Sequence, residues 1–183
     1  MTETRERTAL LVIDVQRGVV EGAVDVPGVI GRINGLLERA RARDVPIIFV
    51  QHEEPDSDLA HGSDGWQFAD DLDVGPGEPI VAKKYRDSFA DTNLEQLLKQ
   101  SGVTRLLVTG SQSDYCVQTS ALSALQHGYD VTLVSDAHTT CATGPDDGDI
   151  DGASVIEFIN GHFATLGYPN RKIEVLATSD VSL

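Results

Sequence analysis

Three polar residues stand where short apolar runs end, and their types could do chemistry together. Asp14 follows Ala9-Leu10-Leu11-Val12-Ile13, and Lys83 follows Ile80-Val81-Ala82. Cys116 lies shortly after Gly110, which closes the run begun by Leu106-Leu107-Val108. An acid at the edge of a dry core is a candidate general base, its pKa set by burial and neighbours. A cysteine opening a helix, as Tyr115–Leu122 reads, meets free backbone N–H groups and a dipole that favour the thiolate. The same N–H groups can hold a developing oxyanion. A lysine near both could hold both charges in place. Each residue also has a plainer reading: a buried core cysteine, a capped turn or structural ion pair, a solvated lysine.

Other chemistries fit less well. Gly110-Ser111-Gln112-Ser113-Asp114 lacks the G-x-S-x-G nucleophile elbow. There is no phosphate-binding G-x-x-x-x-G-K-[ST], and no G-x-G-x-x-G follows the first strand. Leu122 occupies the place where a cysteine–five–arginine phosphate loop needs its arginine. His52 and His61 with Asp56 and Asp58 match no strong metal-ligand spacing and read as loop residues meeting solvent.

The elements that must position these groups alternate along the chain. Pro46–Val50, Val131–Val134 and Ile173–Leu176 join the runs above as strands; without period-2 alternation they suit a parallel sheet buried on both faces. Val29, Ile30, Ile33, Leu36, Leu37 and Ala40 recur at helical spacing, ahead of a basic end at Arg39, Arg41 and Arg43. Thr92-Asn93-Leu94-Glu95 reads as a capping box opening a helix over Leu94–Gln100, stopped by Gly102. Further helices are expected from Cys116 to His127 and over Ile150–Leu166. This alternation predicts a three-layer α/β/α domain, and in such sheets ligands bind beyond the carboxyl ends of the strands. Residues 53–78, rich in Gly and Pro, form a long excursion that is expected to cover an active site or an oligomer contact.

The 183 residues suit one domain at roughly 150 residues per domain. The net charge of −15 disfavours nucleic acid and anionic membrane faces, and aromatic residues at 5% offer little stacking surface. The densest acidic stretches, 53–73 and 146–151, read as solvated loops. Met1–Thr8 does not resemble a signal peptide, no apolar run approaches the roughly 20 residues of a membrane span, and two cysteines suggest no stapled scaffold. A cytoplasmic protein with free thiols is expected.

Four blocks, in order along nearly the whole chain, together resemble the isochorismatase-like cysteine hydrolase superfamily. Ala9–Gln16 looks like its opening strand with D-x-Q, and Lys83–Leu94 is similar to its K-x-x-x-S-x-F-x-x-T-x-L stretch. Gly110–Val117 looks like its G-x-x-[TS]-[DE]-x-C-V, and Gly128–Ala137 matches the strand that follows. The resemblance implies a six-stranded, mainly parallel sheet in the order 3-2-1-4-5-6 within a single isochorismatase-like domain over 1–183. It implies a triad of Asp14, Lys83 and Cys116, with Lys83 chosen over Lys84 by its spacing to Phe89. It implies a cis Ser111–Gln112 peptide, aiming the N–H of Gln112, with that of Cys116, at a substrate oxygen. Tyr85 stands where the family usually has a basic residue, with Arg86 beside it, and Cys141 matches no motif position.

The activity so implied is a cysteine amidohydrolase cleaving a C–N bond of a small molecule through an acyl-enzyme. The alternatives are an isochorismatase-type vinyl ether hydrolase, which need not use the cysteine, and an inactive binding protein of the same fold. The nicotinamide-hydrolysing branch carries a metal-binding aspartate and two histidines after strand two. Gln51-His52-Glu53-Glu54 does not reproduce that set, so no metal or other cofactor is expected. Gln16, Trp66, Tyr85, Phe89 and Tyr115 are candidates for the substrate pocket, and a homodimer or homotetramer is the expected assembly.

Overall fold

The computed structural model describes residues 6–144 and 150–183. The start of the chain and most of the acidic 146–151 stretch, with the expectations made for them, lie outside the described residues.

Six strands form one parallel sheet: β1 (Thr8–Ile13), β2 (Ile47–His52), β3 (Ile80–Lys83), β4 (Arg105–Ser111), β5 (Asp130–Thr139) and β6 (Ile173–Leu176). Their order is β3-β2-β1-β4-β5-β6, as the resemblance implied. Helices α1 (Arg17–Val20), α2 (Val26–Arg41), α3 (Leu94–Gln100), α4 (Gln118–Gln126) and α5 (Gly152–Thr165) flank it. The unbroken apolar runs follow from this layering, because both faces of the central strands are covered. Along β1, Ala9, Leu11 and Ile13 join the cluster that includes Leu94, Ala121 and Phe163 of α3, α4 and α5. Leu10 and Val12 point the other way, into the cluster with Ile30, Ile33 and Leu37 of α2.

Several local expectations are corrected. The capping box at Thr92–Glu95 does not form: Asn93 is the N-cap and makes no side-chain cap bond. Glu95 is instead paired with Lys99 at 2.6 Å and stands 3.2 Å from His127. Cys116 does not open an α-helix either. It lies within one π-helical turn, Ser113–Val117, and α4 begins only at Gln118.

The register brings the strand ends of interest together. Ile13 pairs with Val50 on one side and with Gly110 on the other. The sheet's connections therefore reverse direction between β1 and β4, and Asp14 emerges at that switch point. Asp14 takes a left-handed conformation, φ +50°, and anchors its N–H on the Val50 carbonyl at 3.0 Å. Gly110, at φ +117°, lies so close to β1 that an added Cβ would meet the Ile13 carbonyl oxygen at 2.0 Å. On the other flank His52 pairs with Lys83, the last residues of β2 and β3.

The 53–78 excursion has no helix or strand of its own, yet it is tied down. Gly18 N–H donates to Gly65 O, Arg17 N–H to Gln67 O and Ala69 N–H to Val15 O, each at 2.9–3.0 Å. Phe68 packs edge-on against Phe49, with ring centroids 5.7 Å apart. Arg41 of α2 holds the far end through Asp73 at 2.6 Å and Glu78 at 2.8 Å. The excursion thus lies against the segment that leaves β1 beside Asp14.

Candidate active site

Asp14, Lys83 and Cys116 meet in one place. Lys83 Nζ lies 2.6 Å from Asp14 Oδ2 and donates to Cys116 Sγ at 3.2 Å. Both charged side chains are completely buried, while Cys116 is partly open. Both carboxylate oxygens of Asp14 are buried, and among the described residues neither has a hydrogen-bond partner; its contact with Lys83 is an ion pair. Lys84, the neighbour not chosen, is exposed and reaches Glu53 at 3.7 Å.

Burial raises the Asp14 pKa above the ordinary carboxylate value, against the opposing pull of Lys83. Burial, and then the Asp14 charge, push the Cys116 thiol up to about 12. This corrects the thiolate reading made from a helix N-terminus: no α-helix starts at Cys116, and its sulfur faces a carboxylate. Both influences favour the protonated thiol over the thiolate.

Lys83 also contacts the Tyr85 carbonyl at 3.1 Å and His52 Nδ1 at 3.1 Å. His52 is therefore no solvent-facing loop residue. It ends β2, is half-buried, and touches the ammonium. The rule that selected Asp14 and Lys83, a polar residue ending an apolar run, would have found it had the two histidines not been weighed as a metal pair. Among the described residues no group of three or more His, Cys, Asp or Glu side chains is placed to hold a metal ion.

The candidate pocket residues divide. Gln16 is fully buried, and its amide is used up: Nε2 donates to the His52 and Trp66 carbonyls at 2.9 and 2.8 Å, and Oε1 accepts from His52 N–H at 2.8 Å. It fastens β1, β2 and the excursion to one another and has no group left for a substrate. Phe89 is likewise withdrawn, into the core cluster and stacked on His127 at 4.6 Å. Trp66 is half-buried, with its ring 4.5 Å from that of His61. Tyr85 is exposed, and Tyr115 lies under the Arg86 guanidinium at 4.1 Å. A cleft of about 810 Å³ between α1, α2 and the excursion is lined by Arg17 and several carboxylates and holds none of the three central residues.

The turn carrying Cys116 is fixed from below. The Ser111–Gln112 peptide is cis, as the resemblance implied. Asn160 Nδ2 donates to the Ser135 carbonyl at 3.0 Å, which turns its Oδ1 toward His138 Nε2, also at 3.0 Å. The imidazole must then carry its proton on Nε2 and accept through Nδ1, so Ser113 O–H donates to it at 2.7 Å. Burial keeps His138 neutral by lowering its pKa. Residues 113, 138 and 160 belong to three elements and show no spacing signature, so the sequence reading passed over this relay.

A doubly wound α/β domain with a buried acid–ammonium pair against a cysteine at its switch point is the class of protein these features define. The chain belongs to the isochorismatase family, whose isochorismatase domain model matches residues 8–157. Streptothricin hydrolase of Streptomyces noursei is 42% identical over 136 residues, 72% of this chain and 49% of that protein. The chain thus spans about half the length of that relative. Maleamate amidohydrolase of Pseudomonas putida is 26% identical over 149 residues, 70% of each chain. A solved isochorismatase structure from Pseudomonas putida superposes with a TM-score of 0.86 at 27% identity, covering 96% of this chain and 90% of that one.

Proposed function

We propose that this protein is a cysteine hydrolase that cleaves a C–N bond, of amide or ureido type, in a small molecule. The observation that carries this reading is Lys83 Nζ lying between Asp14 Oδ2 and Cys116 Sγ, at 2.6 and 3.2 Å, with both charges buried. Names of relatives such as streptothricin hydrolase and maleamate amidohydrolase agree with a hydrolytic reaction.

In this reading Asp14 takes the thiol proton as Cys116 sulfur adds to the carbonyl carbon. Lys83 compensates the negative charge shared by the carboxylate and the sulfur. The backbone N–H groups of Gln112 and Cys116 hold the tetrahedral oxyanion, a contribution of about 2.7–4 kcal/mol per donor in comparable sites. The C–N bond then breaks, and the protonated Asp14 returns its proton to the leaving nitrogen. Water, losing a proton to the same carboxylate, adds to the thioester. The C–S bond breaks, the sulfur is reprotonated, and the acid product leaves.

The test is a panel of small amides and ureido compounds scored for ammonia release, run with the wild type and Cys116→Ala. Release that disappears in the variant supports the reading. Release that persists in Cys116→Ala, or pyruvate from isochorismate with no amide cleaved, refutes it.

A further inference from the structure

The sheet does not by itself hold Lys83 beside Cys116. Lys83 ends β3 and Cys116 follows β4, and β2 and β1 lie between those strands. Three strand spacings amount to roughly 14 Å. A second link must close the site from above the sheet. The chain just after Lys83 supplies one end of it, because the Tyr85 carbonyl takes a Lys83 N–H at 3.1 Å.

The other end is Ser120 of α4, four residues past Cys116. A serine inside a helix ordinarily turns its hydroxyl to solvent or to the carbonyl four residues back. Ser120 is fully buried and reaches across to segment 86–88 instead. Its oxygen accepts the Ser88 N–H at 3.0 Å. Its proton goes to the Arg86 carbonyl at 3.4 Å, so Ser88, buried as well, donates its own across the 2.7 Å contact between the two hydroxyls. One donor and two acceptor sites are the whole capacity of a hydroxyl, and all three serve this one segment. Ser123, three residues on and on the same helix face, donates to Asp87 Oδ2 at 2.9 Å. Among the described residues, these side chains make all the hydrogen bonds between residues 84–92 and 112–126. The exposed Arg86 adds its guanidinium contact over the Tyr115 ring.

We propose that Ser120 is a positioning residue of this site: its hydroxyl fastens segment 85–88 to α4 and so sets the separation of Lys83 Nζ from Cys116 Sγ. The link is a closed ring. It runs from Cys116 along the chain to Ser120, through the hydroxyl to segment 86–88, back to the Tyr85 carbonyl, and through the Lys83 ammonium to sulfur at 3.2 Å. The ammonium is the group here that favours the thiolate, against burial and Asp14. Opening the ring at Ser120 therefore makes Cys116 harder to ionise, although the serine touches neither sulfur nor ammonium. This rests on the hydrolytic reading above, since it assigns a role within that site.

The test is alkylation of Cys116 by iodoacetamide at pH 8, read by peptide mass spectrometry, beside unfolding in urea. Ser120→Ala is expected to react about threefold more slowly than wild type. That is the net effect of raising the thiol pKa by one, a tenfold loss of thiolate partly offset by its greater nucleophilicity. Ser120→Thr, which keeps the hydroxyl, is expected to react like the wild type. A crystal structure of Ser120→Ala is expected to show Nζ and Sγ beyond hydrogen-bonding distance. A lower urea midpoint with an unchanged or faster alkylation rate is what a merely structural bond gives, and it overturns the proposal. So does Ser120→Thr reacting like Ser120→Ala, or an intact Nζ–Sγ contact in the alanine variant. Should Ser120→Ala not fold, Ser88→Ala removes one of the three contacts and is expected to slow alkylation in the same direction; no slowing overturns the proposal. Alkylation needs no turnover, so failure of the amide panel and failure of this assay are separate results.

Discussion

The pH dependence of Cys116 alkylation follows from the geometry and can be worked in advance. The thiol is pushed from 9.0 to about 12, chiefly by burial and next by the Asp14 carboxylate. At pH 8 this lowers the thiolate fraction about a thousandfold relative to an unperturbed cysteine. A more basic thiolate is a better nucleophile, which recovers roughly 16- to 32-fold over that range. Iodoacetamide should therefore modify Cys116 about 30- to 60-fold more slowly than a free cysteine at pH 8. Its rate should climb about tenfold per pH unit through pH 9 without levelling. Peptide-resolved mass spectrometry separates this signal from Cys141. Asp14→Asn removes the charge that opposes ionisation and leaves the Lys83 ammonium in place. The profile of that variant is expected to move to lower pH even as hydrolysis is lost, so reactivity and turnover change in opposite directions. A wild-type rate that levels off below pH 8, or an Asp14→Asn profile displaced to higher pH, refutes the reasoning that the resting sulfur is a thiol held up by its carboxylate neighbour.

Other consequences can be checked with less effort. In the proposed mechanism Asp14 acts as an ionised base, and burial raises its pKa above the ordinary 3.8, so kcat/KM should fall as pH drops through that raised value, at higher pH than a solvated aspartate would give. The same shift means the folded state binds this proton more tightly than the unfolded chain; its contribution to stability is complete below 3.8 and is lost as pH rises through the folded value. Gln16→Ala removes three hydrogen bonds to partly buried backbone groups and should lower the unfolding free energy in urea by about 2–4 kcal/mol. An unchanged urea midpoint would show that the excursion is not fastened through this amide. Gly110→Ala drives a methyl group into the β1 backbone at Ile13 and should yield protein destabilised by more than about 3 kcal/mol, or none in soluble form.

Much of this was legible in the sequence because a parallel sheet buried on both faces writes itself as continuous apolar runs. The polar residue ending such a run lies at the carboxyl edge, where ligands bind, which put Asp14 and Lys83 forward as candidates, and the family resemblance then chose Lys83 over Lys84. What could not be read depended on tertiary partners. The capping box failed because Lys99 and His127 compete for Glu95. Gln16 and Phe89 stand beside the motifs yet turn inward, one to buried carbonyls and one to the core. The basicity of the Cys116 thiol follows first from burial and then from a carboxylate about a hundred residues away in the chain. The Ser113–His138–Asn160 relay and the His52–Lys83 contact join residues whose proximity only strand register reveals.

The most direct test of the account is intact-mass analysis of the enzyme quenched in acid while turning over an amide that releases ammonia. A transient adduct on Cys116 with the mass of the acyl group, absent from Cys116→Ala together with the ammonia, is the predicted result. Sustained ammonia release by Cys116→Ala, with the wild-type sulfur never acylated, would contradict it.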